Sequence, residues 1–258
     1  MLKKRIIPCL LLHKGGLYKT VRFKNPNYIG DPINAIRIFN EKEVDELMFI
    51  DIDATVSGSE PNYKMIENIA SECFMPLSYG GGIKSVEQIK RINSLGVEKF
   101  SISSAAISNL ELIREAANIF GSSSIIVTID VKKDFFGNKR VHTHNGKINT
   151  KMDVVELAKR VESYGAGEIV LNSIDHDGVM SGFDLNMLEI LKKNVKVPVI
   201  ALGGAGNLGH IKEVFDVAKV DAVACGSMFI YQGPLKGVLI SYPPYDSIVE
   251  LVKMNEEF

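Results

Sequence analysis

Short apolar runs rich in β-branched residues alternate with amphipathic segments along most of the chain. The runs have the length of buried strands and fall at 6–12, 46–52, 76–79, 99–103, 124–130, 168–174, 198–202 and 221–226. Between them, apolar residues recur at helical spacing over 31–44, 63–74, 85–96, 109–121, 152–165, 184–194 and 208–219, and a final helix is expected over 246–255. Buried strands that alternate with helices are typical of parallel β/α structure.

The number of these units and an internal repeat both predict a closed barrel. Residues 43–55 resemble 165–178, residues 75–90 resemble 197–212, and residues 97–107 resemble 220–230. The stretch 5–16 resembles 124–133, and this alignment places Leu11 on Asp130. We therefore predict one (β/α)8 TIM barrel domain over 1–258, built from half-barrels at about 1–122 and 123–258. A doubly wound open sheet is the alternative, but no G-x-G-x-x-G motif opens the first helix.

Composition excludes several classes of partner. The net charge is −1, so the chain has no overall basic field for nucleic acid or an anionic membrane. None of the three cysteines has metal-ligand spacing, and Cys9 and Cys225 lie in apolar runs, which indicates free thiols in a reducing, cytoplasmic compartment. The start MLKKRIIPCLLL imitates a signal peptide, but a proline interrupts its short apolar run, so a first buried strand is the better interpretation. We expect no metal and no cofactor.

The active site of such a barrel lies at the carboxyl ends of its strands. Glycine clusters follow the third and seventh strands, and a serine begins a short helix after each neighbouring strand. Glycines and helix starts both offer backbone N–H groups to an anion, although the glycines could also serve only to permit tight turns. The repetition favours two phosphate sites and a ligand with a phosphate at each end. Their predicted contacts are Gly81, Gly82, Ser103 and Ser104 on one side, and Gly203, Gly204, Gly226 and Ser227 on the other.

Carboxylates lie between these two predicted sites. Asp130 ends the buried fifth strand and is the predicted general acid–base group. Asp51 and Asp53 follow the second strand, and Asp175 and Asp177 follow the sixth. For these four, capping of a turn is as good an interpretation as a contact with substrate.

Two further groups of side chains could have a function. One consists of two cations and two anions at the amino ends of strands, which could form a closed ring: Arg5, Glu46, Lys99 and Glu168. Spacing alone favours ordinary solvated charge there. His142 and His144 could hold a metal from one face of a strand, but a solvated hairpin is favoured because no third ligand is apparent.

The segments KRIIPCL, GDPINAIRIFNE, YGGGI, IDVKK, NGKINT, SIDHDG and ALGGAG resemble the cyclase subunit of imidazole glycerol phosphate synthase, the HisF family. The resemblance covers essentially the whole chain. It implies a barrel that docks a HisH-like glutaminase subunit at the amino ends of its strands and conducts ammonia through its core. It also implies a bis-phosphorylated ribulosyl substrate, which is converted to imidazole glycerol phosphate and an aminoimidazole ribotide.

Individual residues take roles from this resemblance. The charged ammonia gate of the family is matched by Arg5, Glu46, Lys99 and Glu168. Glu98 matches an acidic position at the partner interface, and Lys19 matches a loop lysine that touches substrate. The resemblance adds Asp51, Asp175, Asp177 and Gly178 to the expected substrate contacts.

One of the two catalytic aspartates of the family is missing. The pair falls on Leu11 and Asp130, and a leucine cannot transfer a proton. Ser103-Ser104 and the segment DIDAT also depart from the usual family sequence. Together with Leu11, these departures resemble a second-copy branch of the family that is found with surface-polysaccharide genes. That branch implies ammonia delivery to a separate sugar amidotransferase. The alternatives are histidine biosynthesis with Asp51 or Asp53 replacing the lost acid, a scaffold that only activates the glutaminase, and an unrelated phosphosugar isomerase.

Overall fold

The computed structural model describes residues 4–244, 246–248 and 251. In chain order the strands are β1 (Arg5–His13), β2 (Gly16–Val21), β3 (Lys24–Gly30), β4 (Leu47–Asp51), β5 (Leu77–Gly80), β6 (Lys99–Ile102), β7 (Ile125–Lys133), β8 (Lys139–Thr143), β9 (Ile148–Asn149), β10 (Glu168–Ser173), β11 (Val199–Leu202), β12 (Ala222–Cys225), β13 (Tyr231–Gln232) and β14 (Gly237–Val238).

The α-helices are α1 (Pro32–Glu41), α2 (Ala54–Ser57), α3 (Tyr63–Glu72), α4 (Val86–Ser94), α5 (Ser104–Ser108), α6 (Glu111–Phe120), α7 (Val154–Ser163), α8 (Leu185–Asn194) and α9 (Leu208–Val217). Short 3-10 turns cover Ser122–Ser124 and Ser227–Phe229. Most of the longer helices begin after a side chain that accepts their first free backbone N–H groups. These capping residues are Asp31, Asn62, Ser85, Asp153, Asp184 and Asn207.

Eight parallel strands close into a barrel in the order β1, β4, β5, β6, β7, β10, β11 and β12, with β12 paired again to β1. Alternation along each strand gives two separate apolar layers. One lies between the barrel wall and the helices, and the other fills the barrel interior. The interior layer consists of Ile7, Cys9, Met48, Ile126, Val170, Ile200, Ala222 and Ala224. The predicted (β/α)8 fold is therefore confirmed.

An antiparallel hairpin made of β2 and β3 extends this barrel beyond the carboxyl end of β1. It was not predicted from the sequence, because residues 16–30 contain no simple alternation of apolar and polar positions. A second excursion, β8 and β9, pairs antiparallel with the end of β7. Both lie at the end of the barrel where the predicted site residues are found. The final helix predicted over 246–255 falls largely outside the described residues.

Candidate active site

A cavity of about 550 Å³ opens at the carboxyl ends of the barrel strands. Each of the eight strands contributes at least one residue to its wall. It collects almost all the residues that the sequence assigned to catalysis and substrate binding: Leu11, Lys19, Asp51, Gly81, Gly82, Ser103, Ser104, Asp130, Asp177, Gly178, Gly203, Gly204, Gly226 and Ser227. Asp175 lies outside this wall, because its carboxylate accepts the backbone N–H of Lys133 at 2.9 Å.

Asp130 lies on the cavity wall near the end of β7. The side-chain amide of Asn172 donates to its carboxylate at 2.9 Å. Burial raises the pKa of Asp130 to about 7, with a further contribution from the negative charge of Asp177, although the hydrogen bond from Asn172 favours the ionised form. A carboxyl group that titrates near neutral pH can both accept and donate a proton, which general acid–base catalysis requires.

Asn172 was missed by the sequence analysis. Its Oδ1 atom is buried and has no hydrogen-bond partner among the described residues. Ser103 presents a similar buried Oγ in the same cavity. Burying a polar atom without a partner is unfavourable, so these two oxygens mark places where a ligand can supply the missing hydrogen bond.

Leu11 is the apolar counterpart of Asp130. It lies on β1, and three barrel strands separate β1 from β7 in either direction around the wall, so the two residues are on opposite sides of the mouth. Leu11 is aligned with Ile50 on the neighbouring strand β4, and both line the cavity. This side of the cavity therefore offers no proton donor or acceptor at the position opposite Asp130.

The two glycine clusters lie on opposite parts of the mouth, and their backbone conformation requires glycine. Gly81 has φ +113°, and a Cβ there would be 2.3 Å from the carbonyl oxygen of Asp51. Gly204 has φ +117°, and a Cβ there would be 2.0 Å from the carbonyl oxygen of Gly182. The tight turns do require glycine here, and both clusters also line the cavity, where the backbone of a glycine can approach a ligand closely.

Lys19 lies in strand β2 and not in a loop, which corrects the expectation from the family resemblance. The β2–β3 hairpin carries it into the barrel mouth, where its Nζ donates to the carbonyl oxygen of Cys9 at 2.6 Å. A Cβ on Gly226 would be 2.1 Å from this Nζ, so the ammonium group lies directly beside the eighth-strand glycine. Burial lowers the pKa of Lys19, and the neighbouring Asp177 opposes that effect.

The hairpin is held in this position by the loop after β10. Thr20 donates its hydroxyl to the Asp177 carboxylate at 3.1 Å, and the backbone N–H of Arg22 donates to the Asp177 carbonyl at 2.9 Å. Gly178 is in contact with the hairpin, because a Cβ there would lie 2.1 Å from the Thr20 carbonyl oxygen. Asp177 and Gly178 therefore form part of the cavity wall and also anchor the segment that covers it.

Asp51 and Asp53 differ in their surroundings. Asp51 accepts the backbone N–H groups of Asp53 and Ala54 at 2.8 and 3.1 Å, so it caps a turn, but it also lines the cavity. Burial raises the pKa of Asp51. Asp53 points away from this cavity and hydrogen-bonds with His13 at 2.6 Å.

The four charged residues at the amino ends of the strands form a closed ring. Arg5 contacts Glu46 at 2.6 Å and Glu168 at 3.0 Å. Lys99 contacts the same two carboxylates at 2.9 and 3.1 Å. Spacing alone had favoured solvated charge, and that interpretation is wrong, because Glu46 and Glu168 are only 2% and 8% exposed. Glu98, just before β6, is exposed at the same end.

Hydroxyl groups mark one side of the barrel interior between this ring and the cavity. Ser78, Ser101 and Thr128 are buried on the adjacent strands β5, β6 and β7. The Ser101 and Thr128 hydroxyls are 2.7 Å apart. The remaining wall is mostly apolar, as the interior layer of aliphatic and cysteine side chains shows. A small polar molecule that passes through the barrel would therefore find hydrogen-bonding groups along one side only.

The histidine pair belongs to the hairpin that the sequence favoured after the fifth barrel strand, but His142 is buried and not solvated. His142 is 6% exposed on β8 and hydrogen-bonds with the carbonyl oxygen of Arg140 at 3.0 Å. His144 lies beyond the strand with φ +52°, so the two rings do not share a strand face. Among the described residues, no group of three or more His, Cys, Asp or Glu side chains could hold a metal ion. Among the helices of the described residues, none is long and apolar enough to cross a membrane.

Comparison with known proteins agrees with this geometry. A family profile described as histidine biosynthesis protein matches residues 5–236. The chain belongs to this histidine biosynthesis family. A Pseudomonas aeruginosa member, provisionally named imidazole glycerol phosphate synthase subunit hisF2, is 53% identical over 96% of this chain and 99% of that protein. A Vibrio vulnificus member, provisionally named subunit hisF3, is 51% identical over 94% of each chain.

A third member of the histidine biosynthesis family is named imidazole glycerol phosphate synthase subunit HisF without qualification. It comes from Bacillus cereus and is 44% identical over 90% of this chain and 92% of its own length. The resemblance to HisF proteins stated from the sequence is thereby confirmed.

Proposed function

We propose that the chain is a HisF-like synthase/cyclase subunit of a glutamine amidotransferase complex. It receives ammonia from a HisH-like glutaminase subunit through the barrel, and Leu11 impairs its own cyclase chemistry. Its role is then to supply ammonia for amidation of a surface-polysaccharide sugar by a separate sugar amidotransferase. The observation that carries this proposal is a complete charged ring below the cavity combined with a leucine, Leu11, on the wall opposite Asp130.

The ammonia route is supported by the arrangement of the barrel interior. The ring lies at the amino ends of the strands, where the glutaminase is expected to dock next to the exposed Glu98. Above the ring, the hydroxyls of Ser101 and Thr128 lead toward the cavity that contains Asp130. Ammonia is small and neutral, so it can move past aliphatic side chains that exclude ions.

Ligand binding at the mouth is supported by the two glycine clusters and by Lys19. A bis-phosphorylated molecule would place one phosphate near Gly82 and Ser104, and the other near Gly204 and Ser227. The Lys19 ammonium lies beside Gly226, close to the second of these positions. These groups support retention of phosphate binding, and the proposal confines the main loss to the proton transfers.

The effect of Leu11 on the rate of cyclisation can be estimated. One positioned acid–base group contributes typically about 10²–10⁴ in rate. Asp130, with its pKa of about 7, can still serve in either protonation state, but it can serve only one side of the substrate. We therefore expect any cyclisation by the unaltered chain to be slower than in a two-aspartate enzyme by about this factor.

The second candidate function is imidazole glycerol phosphate synthesis in histidine biosynthesis. Two observations favour it: the 44% identity to a HisF subunit, and the presence of Asp51 in the cavity wall with its pKa raised by burial. In this reading Asp51 takes over the missing proton transfer. Asp53 is a weaker replacement, because its carboxylate is already engaged by His13.

Ammonium-driven turnover of the bis-phosphorylated ribulosyl substrate separates the two functions. The unaltered chain should show little turnover, and Leu11→Asp should raise kcat by about 10²-fold or more. Leu11→Asn is the matched control, because it adds a polar group of the same size that cannot accept a proton at neutral pH. Ordinary turnover by the unaltered chain, abolished by Asp51→Asn, would assign the chain to histidine biosynthesis instead.

The delivery role needs a reconstituted complex. With the glutaminase, the sugar amidotransferase and glutamine present, the unaltered chain should support amidation of the sugar. Addition of free ammonium salt should bypass the chain. If amidation from glutamine proceeds equally well without the chain, the delivery role is wrong.

A further inference from the structure

A second cavity, of about 390 Å³, lies beside the first and shares Asp51 with it. Its other walls come from the turn after β1, from residues 59–62, from α3 and from the outer side of β5. None of the roles assigned above places a ligand there. Its volume falls within the range of small-molecule sites.

A hydrogen-bonded histidine and aspartate form one wall of this cavity. His13 and Asp53 are 2.6 Å apart between Nδ1 and Oδ1, and Asp53 also accepts the backbone N–H of Lys14 at 2.8 Å. The Tyr18 ring packs edge-on against the imidazole with 4.7 Å between ring centroids. The ring is thus fixed on two sides, and Nε2 is the nitrogen left to reach a ligand.

A buried tyrosine forms the back of the cavity. Tyr79 is 2% exposed and lines this cavity from β5. Its hydroxyl meets strict hydrogen-bond geometry with no atom of the described residues, although the Asp51 carboxylate is close enough to accept a poorly aligned hydrogen bond from it. Burial raises the pKa of Tyr79, and the nearby Asp51 carboxylate adds to this effect, so the hydroxyl stays protonated. A buried hydroxyl whose one nearby acceptor is poorly aligned can donate a better hydrogen bond to a ligand oxygen.

The charges of the wall exclude anions as the ligand. Three carboxylates, on Asp51, Asp53 and Glu60, face one lysine, Lys14. Asp53 accepts two hydrogen bonds, from His13 and from the Lys14 backbone, and Asp51 accepts two backbone N–H groups. The wall therefore combines a net negative charge with a surplus of acceptor lone pairs. Such a wall suits a ligand that donates several hydrogen bonds, as the hydroxyl groups of a sugar ring do.

The floor of the cavity is apolar. Leu12, Met65 and Ile66 lie beneath the polar groups. Leu12 and Ile66 are part of the packed layer between the barrel and the helices. A ring with C–H groups on one face and hydroxyls at its edge matches both surfaces at once.

We propose that this second cavity binds a neutral polyhydroxylated ring of monosaccharide size, held by Tyr79, His13 and the carboxylates of Asp51 and Asp53. The ligand lies next to the main cavity, with Asp51 between the two. This inference stands on the composition of the second cavity and does not require the ammonia route.

The test follows the imidazole of His13 by NMR during titration with methyl α-D-glucopyranoside. The chain has five histidines, so a His13→Gln spectrum assigns the signal. We expect a saturable shift of the His13 ring signal with the glucoside and none with inorganic phosphate. Tyr79→Phe should weaken glucoside binding roughly tenfold, which corresponds to one lost hydrogen bond.

Tyr242→Phe is the matched control, because the Tyr242 hydroxyl is buried elsewhere and donates to the Ile6 carbonyl at 2.9 Å. It should bind the glucoside as the unaltered chain does. The absence of a saturable shift, or equal binding by the Tyr79→Phe variant, would overturn the proposal. A stronger shift with methylammonium than with the glucoside would also overturn it, because the ligand would then be an amine. Binding is read without glutaminase or turnover, so a negative result leaves the ammonia role untouched.

Discussion

Replacement of Asp130 by asparagine should stabilise the protein above neutral pH, because it removes a carboxylate from a buried site. Burial raises the pKa of Asp130 from 3.8 to about 7. Between about pH 4 and about pH 7 the folded chain keeps a proton that the unfolded chain releases, so folding stability falls as pH rises through this range. At about 1.4 kcal/mol for each pKa unit, the full penalty is about 4 kcal/mol.

The expected gain is smaller than this, because Asp130 borders a cavity and water screens part of its charge. We expect Asp130→Asn to raise the free energy of unfolding by about 2–4 kcal/mol at roughly pH 8, and by much less at roughly pH 5. The asparagine can keep the hydrogen bond with Asn172 by presenting its amide oxygen. Urea denaturation followed by circular dichroism at the two pH values measures the difference.

Asp216→Asn is the control, because Asp216 forms a surface pair with Lys212 and should change stability by less than about 1 kcal/mol at either pH. The reasoning is refuted if the gain from Asp130→Asn is the same at both pH values. A pH-independent gain would mean that packing, and not the buried charge, distinguishes the two side chains.

Three further predictions concern the ring, the hairpin and the thiols. Lys99→Ala should lower the free energy of unfolding by about 3 kcal/mol, because two buried carboxylates lose a cation; in the complex it should increase glutamine hydrolysis per product formed. Gly178→Ala should lift the hairpin from its Thr20 contact and speed tryptic cleavage there, and unchanged cleavage would contradict that contact. An aromatic disulfide reagent should modify half-buried Cys73 before fully buried Cys225. Burial raises the pKa of the Cys73 thiol to about 11 and raises that of the Cys225 thiol further, so Cys225 is both less accessible and less often ionised; simultaneous modification would count against this.

The barrel strands and helices could be predicted because each of them leaves a pattern within its own short stretch of sequence. Each strand and helix is encoded by the spacing of apolar residues within one segment, and observed bounds differ from predicted ones by only a few residues. The collection of Asp130 and the glycine clusters in one cavity also followed from the sequence, because parallel strands in a barrel end at the same side.

The remaining features depend on contacts between distant segments. Lys19 reaches the cavity because the β2–β3 hairpin pairs antiparallel with β1. No local sequence pattern predicts that pairing. Asn172 looked like an ordinary strand residue, and only the register of β10 with β7 brings it opposite Asp130. Tyr79 and His13 approach one cavity from different strands. Strand ends can be read from a sequence, but the partners of individual side chains across the barrel cannot.

The ring at the amino ends of the strands has a practical consequence for experiments on the isolated chain. Each of its two cations contacts both anions at 3.1 Å or less, so the ring is sealed and electrically neutral. Each of the four side chains forms two ion pairs, so moving any one of them out of the ring breaks both. A partner that opens the ring on docking has to compensate for the two lost ion pairs. If the proposed ammonia route is right, ammonia added from solution to the isolated chain will enter through the mouth, against the proposed direction of delivery. Assays driven by ammonium salts will then test the upper entrance alone, and the lower one will be tested only when glutamine is the source.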